Sequence, residues 1–491
     1  MIDLPRNGSS LGRARPHAAS GIQGFLSRVV RETGVPGIAV AIRSGAERLS
    51  IAAGRTARGG PPISTAHRFH AGCAIKLLEA VVTLELAARG TLALDAVIGE
   101  PLPELRGTIH GETVRVAHLL SHTSGYRGVH LLDPEAQQLD WPGLIAHLRA
   151  SPQLFPPGAV FGYEHTESVL LGRILERATA RDPLALVAER LLEPLGLVPG
   201  RLDDVHDDPL WAGRHDLDRA SGRFVPISSA PRLSPFWNAA FSDFTLSVAD
   251  LAEIAHALLP DGPDASGATP RAAEARTPPV SEETRNRLRE AAVRLPPAFG
   301  GPVRELLPTA FGLGAAEFCG GLYGHNGLTY GQCVGVRYSP TEHVAIAIGM
   351  NAMLPHLRDH VLDAIWAELF GRPPARPSPP FELDLAAFAG RYVGPGRSAV
   401  TANACADGRL ALEIAHGEHR LPIDVVVDDA RNLVVHAPLP QLSIGFFHAP
   451  AGEPALLLGA SAYKRVASVA PKRSSSAARR PATRAAAEIR S

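Results

Sequence analysis

The spacing of apolar residues near the start of the chain predicts one helix followed by a β-hairpin. From Ile22 to Val30 the apolar residues recur at helical intervals. Two short apolar runs, Pro36–Ile42 and Leu49–Ala53, are separated by the polar segment Ser44–Glu47, which is typical of a hairpin turn. We therefore expect a folded domain that begins near residue 21 and includes the edge of an antiparallel sheet.

The most apolar helical pattern lies between Cys73 and Arg89. Its apolar side chains surround most of the helix, and Gly90 follows at the position where a glycine commonly ends a helix. This pattern predicts a buried helix with Cys73 at its N-terminus.

The middle of the chain is mainly helical, and strand patterns return late. Helices are predicted at Trp141–Arg149, Ser168–Ala180, Pro183–Leu192 and Leu354–Phe370, and neighbouring strands at Cys333–Tyr338 and His343–Met350. This order predicts an α+β fold, an α/β sandwich in which an antiparallel sheet is flanked by helices and accompanied by a mainly helical subdomain.

A stiff, proline-rich linker at residues 372–380 marks the clearest domain boundary. It separates a main domain, residues 21–371, from residues 381–467, whose short turn-punctuated β runs predict a small antiparallel barrel or sandwich. Residues 1–20 have the composition of a disordered leader. Residues 468–491 are rich in Ala, Ser and Arg and indicate a disordered basic tail, for which a solubilising role is favoured over contact with an acidic partner. The β runs are Leu410–Ile414, Asp424–Val427, Leu433–Ala437 and Leu442–Phe447.

Charge and cysteine content argue against several classes of protein. The 491 residues include 49 basic and 49 acidic side chains, so no net field favours nucleic acid or an anionic membrane, and small partners fit better. The chain shows neither a secretory signal nor a transmembrane run of ~18 apolar residues, so we expect a cytoplasmic protein. Its four scattered cysteines resemble neither a disulfide scaffold nor a metal site. No motif requires a cofactor or a metal.

Lysine is rare in this chain, which makes each lysine informative. Only Lys76, Lys464 and Lys472 are lysines, and the other basic residues are arginines. A buried ammonium can lose its proton and act as a base, whereas a guanidinium stays charged. The composition therefore points to Lys76 as a candidate for proton transfer.

Cys73 lies three residues before Lys76, so the two side chains share one face of the predicted helix. The helix dipole and the nearby ammonium both stabilise a thiolate at this position. In an arbitrary protein such a cysteine is more often a packed core residue, and such a lysine a solvated cation. The neighbouring motifs reverse that expectation.

Several segments together resemble one enzyme family. Phe69–Lys76 (FHAGCAIK) resembles the F-x-x-G-S-x-x-K signature of the family that contains class C β-lactamases, D-alanyl-D-alanine carboxypeptidases and related esterases and transacylases, with cysteine replacing serine. In the family's order follow Val116–Gly125 (VAHLLSHTSG), Phe161–His165 (FGYEH) in place of Y-x-N, Glu193–Leu197, and Tyr323–Gly327 (YGHNG) in place of K-T-G or H-x-G. The resemblance spans residues 21–371, and Leu385–Tyr392 resembles part of the small β domain appended to some members.

The resemblance implies catalytic roles for the residues that match these motifs. Cys73 would form the acyl-enzyme, and Lys76 with Tyr163 would move protons between nucleophile, leaving group and acceptor. His325 is implied as a further catalytic group in the third motif. His165 replaces an asparagine and has one donor and one acceptor when neutral, so we expect altered substrate recognition and a possible proton carrier.

The third motif would also form the wall opposite Cys73. There the resemblance implies that Asn326 and Gly327 contact substrate. The backbone N–H of Leu328 would join that of Cys73 as an oxyanion hole. For His118 and His122 we expect structural roles, and for Cys319, Cys333 and Cys405 packing roles.

A thiol nucleophile changes the expected reaction. Its intermediate is a thioester, which yields more readily to amines, relative to water, than an oxygen ester does. We therefore expect transfer of an acyl group from a small molecule or a carrier to an amine. Two alternatives stay open: hydrolysis, as an esterase, D-amino peptidase or β-lactamase, and a non-catalytic binding or scaffold protein that kept the fold.

Overall fold

The computed structural model describes residues 18–129, 136, 138–218, 220–227, 237, 243–261, 279–295, 299–300, 308–371, 384–427, 433–436 and 444–467. The predicted linker 372–380, the predicted tail 468–491 and most of the predicted leader 1–20 lie outside these ranges. No helix within the described ranges is both long enough and apolar enough to cross a membrane.

The helices agree with the predicted pattern, with one functionally relevant shift. They are α1 (Ala18–Thr33), α2 (Ile75–Ala88), α3 (Ile109–Thr113), α4 (Val116–Leu120), α5 (Trp141–Ala150), α6 (His165–Thr179), α7 (Pro183–Val187), α8 (Val248–Ala257), α9 (Glu282–Arg289) and α10 (Pro355–Phe370). A single 3₁₀ turn, Gly72–Ala74, precedes α2, and a π turn, Ala188–Leu192, continues α7. Helix α6 begins three residues before its predicted start, which places His165 in its first turn.

The strands fall into a large sheet, a C-terminal sheet and smaller pairings. They are β1 (Gly37–Ser44), β2 (Glu47–Gly54), β3 (Arg68–His70), β4 (Gly200–Arg201), β5 (His215–Asp218), β6 (Arg223–Pro226), β7 (Phe244–Ser247), β8 (Val293–Arg294), β9 (Phe299–Gly300), β10 (Ala310–Phe311), β11 (Ala316–Phe318), β12 (Leu322–Thr329), β13 (Gln332–Ser339) and β14 (Val344–Met350). The C-terminal strands are β15 (Gly390–Val393), β16 (Ser398–Ala404), β17 (Leu410–His416), β18 (His419–Val427), β19 (Leu433–His436), β20 (Ile444–His448), β21 (Pro454–Leu458) and β22 (Ser461–Ala467).

The large sheet has the order β2-β1-β14-β13-β12-β11-β10-β8, and the pairs recorded in it are antiparallel. The predicted hairpin, β1 and β2, forms one edge. Alternate residues of β1 enter different cores, because successive strand side chains point to opposite faces. Ile38, Val40 and Ile42 pack with α1 and α10, whereas Ala39 and Ala41 pack with the core that contains α2 and α8. Both faces of the sheet are therefore covered, as the predicted sandwich requires.

The C-terminal strands form a second, curled sheet with the order β19-β18-β17-β16-β15-β22-β21-β20-β9. Its core includes the buried aromatic side chains of Phe388, Tyr392 and Phe446. Strand β9 precedes this domain in the chain, yet it pairs with β20. The predicted α+β fold with a small all-β C-terminal domain is confirmed, and a short strand of the main domain completes the C-terminal sheet.

Candidate active site

The turn that carries Cys73 depends on the glycine that precedes it. Gly72 has a φ of 52°, in the left-handed region that side chains other than glycine rarely adopt. A Cβ at this position would also lie 2.7 Å from Cγ2 of Thr329. Gly72 therefore allows the tight entry into α2, and Cys73 stands at the start of that buried helix with a partly exposed side chain.

Strand β12 lies directly against this turn. A Cβ on Gly327 would lie 2.2 Å from the carbonyl oxygen of Ala71, so only glycine permits this approach. The amide nitrogen of Leu328 is 3.4 Å from the ideal Cβ position of Gly72. The main-chain N–H groups of Leu328 and Cys73 thus belong to segments in close contact, which is what a shared oxyanion hole requires.

Lys76 and Tyr163 meet beside Cys73. Lys76 is buried one turn into α2, and its Nζ lies 5.4 Å from the centroid of the Tyr163 ring. Burial raises the pKa of the Tyr163 hydroxyl well above its usual value, and a negative charge on Cys73 raises that pKa further. The phenol therefore holds its proton and can donate it toward Cys73 or a leaving group.

His325 has a defined tautomer. Its Nδ1 lies 2.7 Å from the carbonyl oxygen of Asn326, which can only accept, so Nδ1 carries the proton. The Nε2 atom is then an acceptor, and it is buried without a hydrogen-bond partner in the described structure. Burial lowers the pKa of His325 to about 3, so the ring is neutral near pH 7. Its centroid is 6.3 Å from that of Tyr163.

The side chain of Asn326, which was predicted to contact substrate, lies on the opposite face of β12 from His325. Strand alternation places its side chain on the face of β12 opposite His325. Its Oδ1 accepts a 2.8 Å hydrogen bond from Nη1 of the buried Arg337, which also pairs with Asp359 on α10. This geometry corrects the sequence interpretation: the Asn326 side chain supports the back of the sheet, and β12 reaches the site through its flanking residues.

His165 lies beside Tyr163. It is the first residue of α6, and its ring stands edge-on to Tyr163 with centroids 5.3 Å apart. This position is compatible with both expectations for His165, substrate contact and proton transfer, and each of them stays a prediction.

A buried pair of ionisable groups behind Tyr163 was missed by the sequence interpretation. Nδ1 of His122 contacts a carboxylate oxygen of Glu167, and the Ser124 hydroxyl donates a 2.5 Å hydrogen bond to the other oxygen. Burial lowers the pKa of His122 and raises the pKa of Glu167, so the uncharged pair is favoured. The His122 ring lies 4.3 Å from that of Tyr163. Its φ of 53° is rare for a residue other than glycine, and such strain is often found at functional sites.

Glu79 is a second group that the sequence interpretation missed. It lies one turn beyond Lys76 on α2 and is fully buried, and neither carboxyl oxygen has a hydrogen-bond partner in the described structure. Burial raises the pKa of Glu79 to about 8, and the charge of Lys76 opposes that rise. The available signal was an acidic residue three positions after Lys76 in an otherwise apolar helical pattern.

The remaining thiols differ from Cys73 in their surroundings. Cys333 is buried, its Sγ donates to the carbonyl oxygen of Ala352 at 3.4 Å, and burial raises its pKa to about 11. It is a packing residue, as expected. Cys319 and Cys405 are partly exposed. Among the described residues, no group of three or more His, Cys, Asp or Glu side chains could hold a metal ion.

Comparison with known proteins identifies relatives of this chain and of its fold. A family model described as Beta-lactamase matches residues 22–369. Penicillin-binding protein 4 of Amycolatopsis lactamdurans is 26% identical over 386 residues, which cover 74% of this chain and 94% of the relative. The crystal structure of SurE matches with a TM-score of 0.70 at 24% identity, covering 92% of this chain and 100% of that chain. D-amino acid amidase from Ochrobactrum anthropi SV3 matches with a TM-score of 0.56 at 19% identity, covering 72% of this chain and 98% of that chain.

Proposed function

We propose, on the premise that this chain belongs to the β-lactamase family, that it is an acyl-transfer enzyme whose acyl group is carried on Cys73. This family consists largely of acyl-transfer enzymes and hydrolases that act on small acyl substrates. The observation that carries the proposal is the placement of Cys73, Lys76, Tyr163 and His325 around one turn and one strand. The proposed nucleophile and the proposed proton-transfer groups are therefore neighbours, which supports the proposal although cysteine replaces the serine of the family motif.

Acylation uses the residues of this site in sequence. As Sγ of Cys73 attacks the acyl carbonyl, the thiol proton passes to the neutral amine of Lys76, and the oxyanion accepts hydrogen bonds from the N–H groups of Cys73 and Leu328. The bond from the carbonyl carbon to the leaving group then breaks. The proton on Lys76 reaches that leaving group through the Tyr163 hydroxyl, which leaves a thioester and a neutral Lys76.

Transfer completes the cycle. An amine attacks the thioester, its proton passes to Lys76, and the carbon–sulfur bond breaks as the amide forms. Cys73 recovers a proton, so the net change is acyl donor plus amine giving amide plus protonated leaving group. Water in place of the amine gives the carboxylic acid, which is the hydrolytic alternative.

Activated esters and thioesters of small amino acids are suitable test donors. One of the solved structures that resemble this chain is a D-amino acid amidase, and a second structure of SurE is that of SurE with D-Leu. D-amino acid donors and acceptors therefore belong in the panel next to their L counterparts. Simple acetyl and phenylacetyl esters extend it to donors without an amino group.

Intact-protein mass spectrometry after brief mixing with each donor tests the proposal. We expect an acyl adduct on the wild-type protein, located on Cys73 by peptide mapping, that disappears when an amine acceptor is added. The Cys73→Ala variant should show no adduct, and Cys73→Ser should shift the product ratio from amide toward acid. Cys405→Ala, which removes another partly exposed thiol, is the matched control and should behave as wild type.

Three results would count against the proposal. Equal turnover of any donor by wild type and Cys73→Ala would exclude the thioester route. If the well-folded protein forms no adduct with any donor class, and binds the donors without altering them chemically, the result would instead support a non-catalytic binding protein that kept the family fold. Excess acid over amide with the wild-type protein at high amine concentration would favour hydrolysis as the main reaction.

A further inference from the structure

Glu79 occupies an unusual position for an acidic side chain. Its exposed fraction is 1%, and it lies among apolar side chains of α2 such as Leu78 and Val82. Both carboxyl oxygens are enclosed without a hydrogen-bond partner in the described structure. Burying a polar group without a partner costs free energy, and an apolar residue would suit this helix better. A contribution to packing therefore does not account for the acid.

Lys76 is the charged group that acts most directly on Glu79. The two residues are three positions apart on α2, a spacing that makes side chains neighbours on a helix, and both are buried. The charge of Lys76 counteracts the effect of burial on Glu79. Tyr163 in turn is influenced by a negative charge on Glu79. A charge on Glu79 therefore acts on both Lys76 and Tyr163, the two proposed proton-transfer groups.

The elements that pack against α2 carry other charged or titratable groups. His325 on β12, His122 and Glu167 all interact with the charge of Lys76. On α9, the buried Arg285 is paired with Asp261 at 2.7 Å. The remaining groups on the described packed elements are Cys73 on the 3₁₀ turn, Tyr323 on β12, Glu189 and Arg190 on the π turn, and Glu282, Glu283, Arg287 and Arg289 on α9.

We propose that Glu79 controls the charge of Lys76: a neutral carboxyl leaves Lys76 free to release its proton, and a carboxylate holds that proton on the amine. Glu79 is a positioning residue for charge, since it acts through Lys76 and does not touch the acyl group. The inference rests on the proposed function, because both half-reactions require Lys76 to become neutral. Ionisation of Glu79 then sets the upper pH limit of acyl transfer.

The direction of the effect follows from the two charge states. Below about pH 8 Glu79 is neutral, Lys76 can release its proton and acyl transfer proceeds. Above that pH the carboxylate forms, and the amine–carboxylate pair retains a proton that the reaction needs. At pH 9, one unit above this midpoint, about a tenth of the molecules keep the neutral carboxyl, so wild-type turnover should fall about tenfold.

A pH–rate profile of Glu79→Gln tests this inference. Glutamine imitates the neutral carboxyl, so we expect wild-type rates at pH 7 and a rate at pH 9 about tenfold above wild type. Rates are measured as single-turnover acylation and as transfer to an amine. Glu85→Gln is the matched control on the same helix, since that carboxylate accepts a hydrogen bond from the N–H of Ser281 and lies further along α2. Its profile should coincide with that of wild type.

Glu79→Met supplies a second readout. Methionine removes the buried acid, so the melting temperature should rise while the alkaline decline disappears, as in Glu79→Gln. A lower melting temperature of Glu79→Met together with an unchanged alkaline decline would overturn the inference in favour of a structural role. Adduct formation on Cys73 with identical profiles for wild type and Glu79→Gln would overturn it while leaving the proposed function intact. Absence of any adduct on the wild-type protein would refute the proposed function, and this inference with it.

Discussion

Adjacent residues of β12 have opposite surroundings, and this difference allows catalysis to be separated from stability. Nε2 of His325 faces the side of Cys73 and has no hydrogen-bond partner among the described residues, while Asn326 binds Arg337 on the side of α10. We expect His325→Leu to lower kcat/KM by about 10²–10⁴ if His325 takes part in proton transfer. The free energy of unfolding should change little, because leucine fills most of the same apolar space. Steady-state kinetics and chemical denaturation measure the two effects.

Asn326→Ala is the matched control for this prediction. Arg337 is buried, so the loss of its acceptor should lower the free energy of unfolding by about 1–3 kcal/mol. Under conditions where both proteins are fully folded, the rate of acyl transfer should change less than about twofold, since the amide of Asn326 points away from the site. A large loss of activity in Asn326→Ala with normal stability would contradict the orientation described above.

At the scale of single residues, the sequence identifies functional groups that belong to a local motif. It does not identify groups whose unusual properties arise only when folding buries them. Cys73 and Lys76 are recognisable because three residues along one helix bring them together. His122 and Glu167 are 45 positions apart and become a pair only when α6 packs beside the loop that follows α4. Glu79 is chemically ordinary in water and becomes unusual only in an enclosed, unpaired position. No spacing rule encodes that position.

Gly327 and Gly72 determine how closely β12 approaches the turn that carries Cys73. Gly327 faces the carbonyl oxygen of Ala71, and a methyl group there would overlap it at 2.2 Å. We expect Gly327→Ala to displace β12 from the turn of Cys73, which separates the two N–H groups of the oxyanion hole. Removing one oxyanion donor costs about 10²–10³ in kcat, so the acylation rate should fall by that order.

Gly24 provides the comparison for this substitution. It lies within α1, and a Cβ there meets no atom within 4 Å. Gly24→Ala should therefore leave acylation unchanged and raise the free energy of unfolding by up to about 1 kcal/mol, because alanine favours the helix. Wild-type acylation in Gly327→Ala would show that the strand can move without loss of the oxyanion contacts.

Most of the long elements were predictable and the shortest were not, although the ten-residue helix α8 was also not predicted. Strands β1, β13 and β14 are seven or eight residues long and rich in apolar side chains, and their predicted bounds agree with the structure to within a few positions. Strands β8, β9 and β10 contain two residues each, which is too few to show a period of two. The start of α6 was also misplaced, because Glu167 is a polar residue inside the protein and conceals the helical pattern.

The C-terminal sheet is not an independent appendage in this molecule. Leu457 and Ala462 pack in the same core as α1 and α10, and the carbonyl oxygen of Ala460 accepts a 2.8 Å hydrogen bond from the N–H of Tyr163. The turn between β21 and β22 therefore contacts the main chain of a proposed catalytic residue. Such a contact depends on how the two parts dock, which neither segment encodes by itself.

Arg127 anchors this arrangement from the main domain. Its guanidinium donates from Nε to the carbonyl oxygen of Gly394 at 3.0 Å and from Nη2 to that of Gly396, between β15 and β16. Gly396 in turn donates its N–H to the carbonyl oxygen of Gly128 at 2.9 Å. The guanidinium therefore connects the segment between α4 and α5 with the turn between β15 and β16.

Arg127→Ala tests whether this docking supports catalysis. Loss of two hydrogen bonds from a charged donor, each worth about 1.5–3 kcal/mol, should loosen the C-terminal sheet and weaken the contact between Ala460 and Tyr163. We expect faster hydrogen exchange at the Tyr163 amide together with a lower kcat/KM. Arg420→Ala is the matched control, since the described contacts of Arg420 stay within the C-terminal sheet: it donates to the carbonyl oxygens of Gly417 and His419 and pairs with Glu413 of β17 at 3.8 Å. If Arg127→Ala speeds exchange at Tyr163 and leaves kcat/KM at the Arg420→Ala value, the C-terminal sheet covers the site without assisting it, because the hydrogen bond to Tyr163 would then be dispensable for proton transfer.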